Sequence, residues 1–393
     1  MHKRPVRLLA GLLALGLLTA ACGNDDDDEG SGDTTTTAGD ETTTTEEGGG
    51  SEDAQVSLDD LCEEAKADGV EAPAGYTVRL VTDIGKVDDQ TFNQYAYEGM
   101  KAAEECFGFE TSFIETASEA DYEKNISTAL EGDPAVLITV GFLLTDDTGE
   151  AAAAHPNTSF IGIDQFYDDA SGAPAYSDNY VGVLFNEDEG GYMAGVMAAS
   201  LSESGIIGVV GGRQDVPPVV KLVNGYEVGA KSVNPDIQVL KIYNESFTAP
   251  DKGASDAQQF IGEGADVIFG AGGLTGSGGV SAATQQGVWG IGVDQDEYFS
   301  TFDGGSAPGS EFLATSAVKR VDLGVFVQIV NALKGEFAGG IFALTAENSG
   351  ITYAPPHDAD VPEDALEAVE EARKGLADGS IKTGLDPATG LPQ

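Results

Sequence analysis

Residues 80–99 read LVTDIGKVDDQTFNQYAYEG, and this stretch decides how the rest of the chain is read. It is entered through an apolar run from Val78 to Val81, broken only by Arg79. Its length and β-branched content mark a buried strand. The strand ends at Asp83, Gly85 follows in a loop, and a helix is expected from about Thr91, carrying Phe92, Asn93 and Tyr95. A carboxylate, an aromatic ring and an amide therefore gather at the carboxyl end of a strand and the first turn of the next helix. In open α/β sheets that edge is where ligands bind.

Working outward, the same rhythm continues. After this helix come expected strands at 111–115, 135–140 and 159–163, with helices at 120–130 and 146–154 between them. Alternation at this spacing means a parallel sheet. A further strand at 180–184 is expected near the sheet edge. A second series begins with a helix at 187–202. It continues through strands at 205–210, 237–243, 266–269 and 288–293, with helices at 217–233, 252–263 and 279–286. It echoes the first in order. One more strand, LATSAV from Leu313, and a helix to about Leu333 follow, and a charged helix at 363–376 closes the pattern. Phe113 and Phe326 are read as core rings.

The chain has 393 residues, enough for two domains with their own cores. Its 19 Lys and Arg against 67 Asp and Glu leave a formal charge of −48. Such a body repels phosphate backbones and anionic lipid, which excludes nucleic-acid polymers as partners. Residues 1–21 read as a signal peptide, with Lys3, Arg4 and Arg7 before the apolar run from Leu8 to Leu18. Ala20 and Ala21 then precede Cys22, as in a lipobox, where the cysteine becomes the lipidated N-terminus. Thr19 stands where that motif usually has an aliphatic residue. Residues 22–57 form an acidic, Thr- and Gly-rich stretch with little to bury, read as a disordered tether. Export places the remaining cysteines, Cys62 and Cys106, where disulfides persist, and a bridge between them is expected. No pair has CxxC spacing, and no metal site or cofactor is expected.

Catalysis has no constellation to rest on. His2, His155 and His357 lie near no Cys or carboxylate at triad or ligand spacing, and His155 and His357 read as solvated loop residues. No GxSxG elbow and no HExxH motif occurs. The Gly-rich run GAGGLTGSGG, residues 270–279, follows a strand but fails the GxGxxG register and carries no Gly-Lys-Ser/Thr. It reads as a loop whose backbone can approach a ligand closely.

The pattern from Asp83, Asp-x-Gly-x-x-Asp-Asp-x-Thr-Phe-Asn-Gln-x-Ala-x-x-Gly, resembles the signature of the basic membrane protein family of bacterial lipoproteins. Thr91 stands where most members have Ser. The stretches GFLLTDDT (from Gly141), GGRQDVP (from Gly211), ESFTAPDKG (from Glu245), GVWGIGVDQD (from Gly287) and TSAVKRVD (from Thr315) match the family in the same order. The family comprises substrate-binding proteins of ABC importers, whose characterised members bind nucleosides. The resemblance implies a type I periplasmic binding protein: two doubly wound parallel-sheet α/β domains, a multi-crossover hinge and a ligand cleft between them. The first domain is expected to comprise residues 58–185 and 298–340, the second 186–297 and 341–393.

The resemblance also implies roles. Phe92 and Phe247 stack on the two faces of a base. Asn93 and Asp146 address its polar edge. Asp294 and Lys319 bind ribose hydroxyls beside the amides of Gly272 and Gly273, and Asp83 contacts or orients. The expected protein is a monomer, lipid-anchored on the outer face of the membrane, that hands a nucleoside, with purine preferred, to an ABC permease. The alternatives are a receptor for a sugar or another small heterocycle, or a surface adhesion protein on the same fold.

Overall fold

The computed structural model describes residues 56–169 and 171–393. The signal-peptide and Cys22 readings, and nearly all of the tether, lie outside them. The first series is α1 (Leu58–Ala67), β1 (Thr77–Ile84), α2 (Phe92–Phe107), β2 (Glu110–Thr116), α3 (Tyr122–Ala129), β3 (Val136–Val140), α4 (Thr145–Ala154), β4 (Ser159–Ile163) and β5 (Tyr180–Phe185). The second is α5 (Glu187–Leu201), β6 (Ile206–Gly211), α6 (Pro217–Val233), β7 (Gln238–Tyr243), α7 (Pro250–Gly262), β8 (Val267–Ala271), α8 (Gly273–Thr284), β9 (Trp289–Asp294) and β10 (Leu313–Lys319). The remaining elements are α9 (Val321–Lys334), β11 (Gly340–Leu344), β12 (Ile351–Tyr353) and α10 (Glu363–Ala377).

Two six-stranded sheets result, ordered β11-β5-β4-β3-β1-β2 and β12-β10-β9-β8-β6-β7. The two orders correspond strand for strand. Neighbours pair in parallel, except that β12 runs antiparallel to β10. Parallel strands covered on both faces are apolar throughout, and β3 and β8 are buried at every position. The charged residue inside β1 has a local use: the Arg79 guanidinium donates to the Ala129 carbonyl at 2.8 Å, at the carboxyl end of α3, where orphan carbonyls need donors.

The chain passes between the lobes three times, after β5, after β10 and after β11. This corrects the expected boundaries. Residues 298–340 do not all return to the first domain, because β10 belongs to the second sheet. It is buried along its whole length and pairs with β9, as Ser316 with Gly292 and Val318 with Asp294. The return begins at α9, which packs on α2; there a Cβ on Gly99 would stand 2.5 Å from the Asp322 carbonyl oxygen, so glycine permits the close crossing. β11 then closes the first sheet outside β5, which stands next to the edge as expected.

Two further expectations change. α8 starts at Gly273 rather than Gly279, so most of the Gly-rich run is helix. Its glycines serve packing, since a Cβ on Gly278 would lie 2.6 Å from the Pro250 Cα of α7. Phe113 is not core: it is 43% exposed on the edge strand β2, edge-on to Tyr97, whereas Phe326 is 1% exposed.

Helix α1 is joined to α2 by a disulfide between Cys62 and Cys106, with the Cα atoms 5.9 Å apart. Peptide mapping of the native protein under non-reducing conditions is expected to find these two cysteines linked. Reduction is expected to lower stability by about 2–4 kcal/mol. Two free thiols in the native protein would contradict the pairing.

Candidate functional site

The carboxyl ends of both sheets face one cleft. Of the nine residues expected there, Asp83, Phe92, Asn93, Phe247, Gly272, Gly273, Asp294 and Lys319 line it. Asp146 does not: it is exposed in the first turn of α4, and Gly141 and Phe142, just before that helix, hold the wall instead.

On the first lobe the β1–α2 connection is braced from within. Asp89, which the sequence reading did not single out, accepts from the backbone amides of Thr91, Asn93 and Gln94 at 3.0–3.1 Å. It therefore performs the capping that Thr91, at the helix N-cap, does not. Both ends of the Asn93 amide are engaged: Nδ2 donates to Asp89 at 2.9 Å, and Oδ1 accepts from the Asp83 amide at 3.0 Å. The Asp83 carboxyl accepts from the Tyr122 hydroxyl and from the Ile84 amide at 2.6 Å. Gly141 leaves it room, since a Cβ there would meet its Cγ at 2.8 Å. Asp83 and Asn93 thus orient the loop that presents Phe92.

On the second lobe Phe247 is held by its own loop. Thr275 donates its amide to the Phe247 carbonyl at 3.1 Å and its hydroxyl to the Ser246 carbonyl at 2.7 Å. The ring lies over Gly212, where a Cβ would stand 2.7 Å from Cδ1. Any larger residue at Gly212 would overlap the ring. Phe92 and Phe247 are both half-buried.

The floor of the cleft is ionic. Lys319, the last residue of β10, bonds Asp164 at 2.6 Å and Glu187 at 2.9 Å, and its ammonium stands 5.0 Å from the centre of the Phe92 ring. Glu187 also pairs with Lys221. Burial alone would lower the Lys319 pKa, but the carboxylates of Asp164, Glu187 and Asp294 outweigh it, so the group stays cationic. Asp164 was missed, yet a signal for it exists. Ile161-Gly162-Ile163-Asp164-Gln165 at the end of β4 matches Ile291-Gly292-Val293-Asp294-Gln295 at the end of β9, the corresponding strands of the two sheets. Both aspartates take positive φ, 62° and 68°, at strand ends and line the cavity.

Among the polar contacts that cross the cleft are Lys319 to Asp164, the Gln295 side-chain amide to the Thr91 carbonyl at 3.3 Å, and Arg213 to Glu119. His357, expected to be solvated, is engaged elsewhere. Its Nε2 lies 2.7 Å from Asp296, and its ring stacks on Tyr298 at 4.1 Å.

Burial raises several carboxyl groups, among them Asp83 and Asp164 to about 6 and Asp294 and Glu297 to about 7. Unfolded carboxyls titrate near 4. The folded chain therefore binds more protons across that interval, and stability falls as pH rises through it. Reduced self-repulsion at lower pH acts in the same direction. The ligand-free melting temperature is expected to be higher at pH 5.5 than at pH 7.5, with a smaller difference in Asp294→Asn. A flat or reversed trend in scanning calorimetry would contradict this.

A family model described as ABC transporter substrate-binding protein PnrA-like matches residues 77–354. Over 345 residues the chain is 31% identical to the CD4+ T-cell-stimulating antigen of Listeria monocytogenes serovar 1/2a, covering 83% of this chain and 92% of that one. Over 322 residues it is 32% identical to the ABC transporter nucleoside-binding protein BmpA of Lactococcus lactis subsp. cremoris, covering 77% and 87%. Among solved structures, an ABC transporter solute-binding protein from Aeropyrum pernix K1 superposes with a TM-score of 0.68 at 25% identity, over 78% of this chain and 92% of that one. Two corresponding α/β lobes, three crossovers and a cleft at the strand ends agree with these likenesses: the chain belongs to the PnrA-like family of ABC transporter substrate-binding proteins.

Proposed function

We propose that the protein captures a nucleoside, with purine preferred, on the outer face of the membrane and delivers it to an ABC permease, tethered through a lipid on Cys22. The observation that carries the reading is that Phe92 and Phe247, from opposite lobes, line one cavity. A flat base between two rings gains stacking on both faces. The nucleoside-binding relative supports the same substrate class.

The polar groups fit the rest of a nucleoside. Asp164 Oδ1 and Thr91 Oγ1 are buried at the cavity wall without hydrogen-bond partners. Such atoms are costly until a ligand pairs them. Ribose hydroxyls can donate to Asp164 and Asp294 and accept from Lys319. The amides of Gly272 and Gly273 lie at the same wall. The four carboxyls Asp83, Asp89, Asp164 and Asp294 share the cavity with one cation, which already serves two carboxylates. A phosphate would meet repulsion with no free positive charge, so nucleosides are favoured over nucleotides.

Phe92→Ala and Phe247→Ala are each expected to weaken nucleoside binding by about 1–3 kcal/mol, roughly ten- to hundredfold. Their half-buried rings should cost less folding stability than Phe326→Ala, whose buried ring is expected to cost about 3–5 kcal/mol. Calorimetric titration and ligand-free melting of the three variants test both statements. Unchanged affinity in both cleft variants would refute the clamp. A Phe326-like loss of stability would assign the rings to the core.

A further inference from the structure

Lys221 and Lys319 are the two lysines buried among the described residues. Lys319 lines the cleft and Lys221 does not. Glu187 joins them, one carboxylate oxygen to each ammonium, and Lys221 also donates to the Phe185 carbonyl at 2.8 Å. Lys221–Glu187–Lys319–Asp164 is thus an alternating chain of two cations and two anions, each side chain at most 7% exposed.

Residues 383–393 lie against Lys221. Gly390, at φ +70°, lies flat on its backbone, where a Cβ would stand 2.7 Å from the Lys221 nitrogen. Asn224 Nδ2 donates to the Gly390 carbonyl at 2.8 Å, and the Thr383 hydroxyl bonds Asp188, the residue after Glu187. The tail closes on itself: Gly390 donates to Asp386 at 2.7 Å, Asp386 to Leu391 at 2.8 Å and Gln393 to Gly384 at 3.1 Å, with Leu385 buried beneath. This segment lies past residue 354, where the family match ends.

We propose that residues 383–393 are a strap that holds Lys221 in place, and that Lys221 acts through Glu187 as a positioning residue for Lys319, so that the tail sets the affinity of the cleft. The physical reason is charge balance in a dry site. With Lys221 seated, Glu187 divides between two ammoniums, and Lys319 is free to hold Asp164 across the cleft. With Lys221 released to water, Glu187 has one partner left and draws Lys319 away from Asp164. Asp164 then faces the cavity as an unpaired buried carboxylate, which water must enter to satisfy. The cation above the Phe92 ring moves with it.

The inference rests on the cleft being the ligand site, and its test separates the two readings. Full-length protein carrying Gly390→Val, which cannot seat the tail, is compared with unaltered protein by reductive methylation without ligand, followed by peptide mass spectrometry. Thr383→Val, a milder loosening, decides the same question if Gly390→Val does not fold. In unaltered protein, Lys221 and Lys319 should label slowly beside Lys252, whose side chain is 52% exposed. Loosening the strap should raise labelling at both Lys221 and Lys319 by about fivefold or more and leave Lys252 unchanged, and inosine affinity should fall about tenfold. Labelling that rises at Lys221 alone would overturn the relay. Protection retained at both lysines would overturn the strap. If inosine fails to bind unaltered protein, the nucleoside reading falls, and the labelling still decides the strap.

Discussion

An ammonium buried at the bottom of a protein cleft has to be surrounded by negative charge, and that requirement organises this molecule. Lys319 sits at the end of β10, with Glu187 of its own lobe on one side and Asp164 of the other lobe on the other. Removing either carboxylate would leave an uncompensated charge in a dry site, far costlier than losing an exposed ion pair. The pair to Asp164 is also a contact between lobes. The groups that fix the cation therefore also tie one lobe to the other.

The aromatic walls depend on this floor. Phe92 lies under the Lys319 ammonium, on a helix start capped by Asp89, while Phe247 lies over Gly212 on a loop tied by Thr275. Each ring is positioned by its own lobe, so the distance between them is set by how far the lobes close. A ligand contacting both walls shifts that equilibrium in proportion to the contacts made only in the closed form.

Much of this was legible in the sequence, for identifiable reasons. Strand ends and helix starts are marked by local composition, so Asp83 and Phe92 could be placed at a ligand-facing sheet edge from the residues, while Phe247, Asp294 and Lys319 reach the cleft only through the family resemblance. Asp146 failed because a helix's first turn has several faces, and spacing does not say which one meets the cleft. The assignment of β10 failed because sheet membership depends on long-range pairing, which its apolar run does not encode. Asp164 escaped although its IGIDQ segment repeats IGVDQ, because the repeat becomes meaningful only once β4 and β9 occupy equivalent positions. Asp89 looked like one carboxylate in an acidic chain, and only the three amides converging on it distinguish it.

The central claim is that this acidic, aromatic-walled cleft holds a nucleoside. The most direct measurement is mass spectrometry of the small molecules released when the natively purified protein is denatured. A nucleoside, with purine favoured, is expected in near-stoichiometric amount. A sugar, an amino acid or a phosphorylated nucleotide in its place would contradict it.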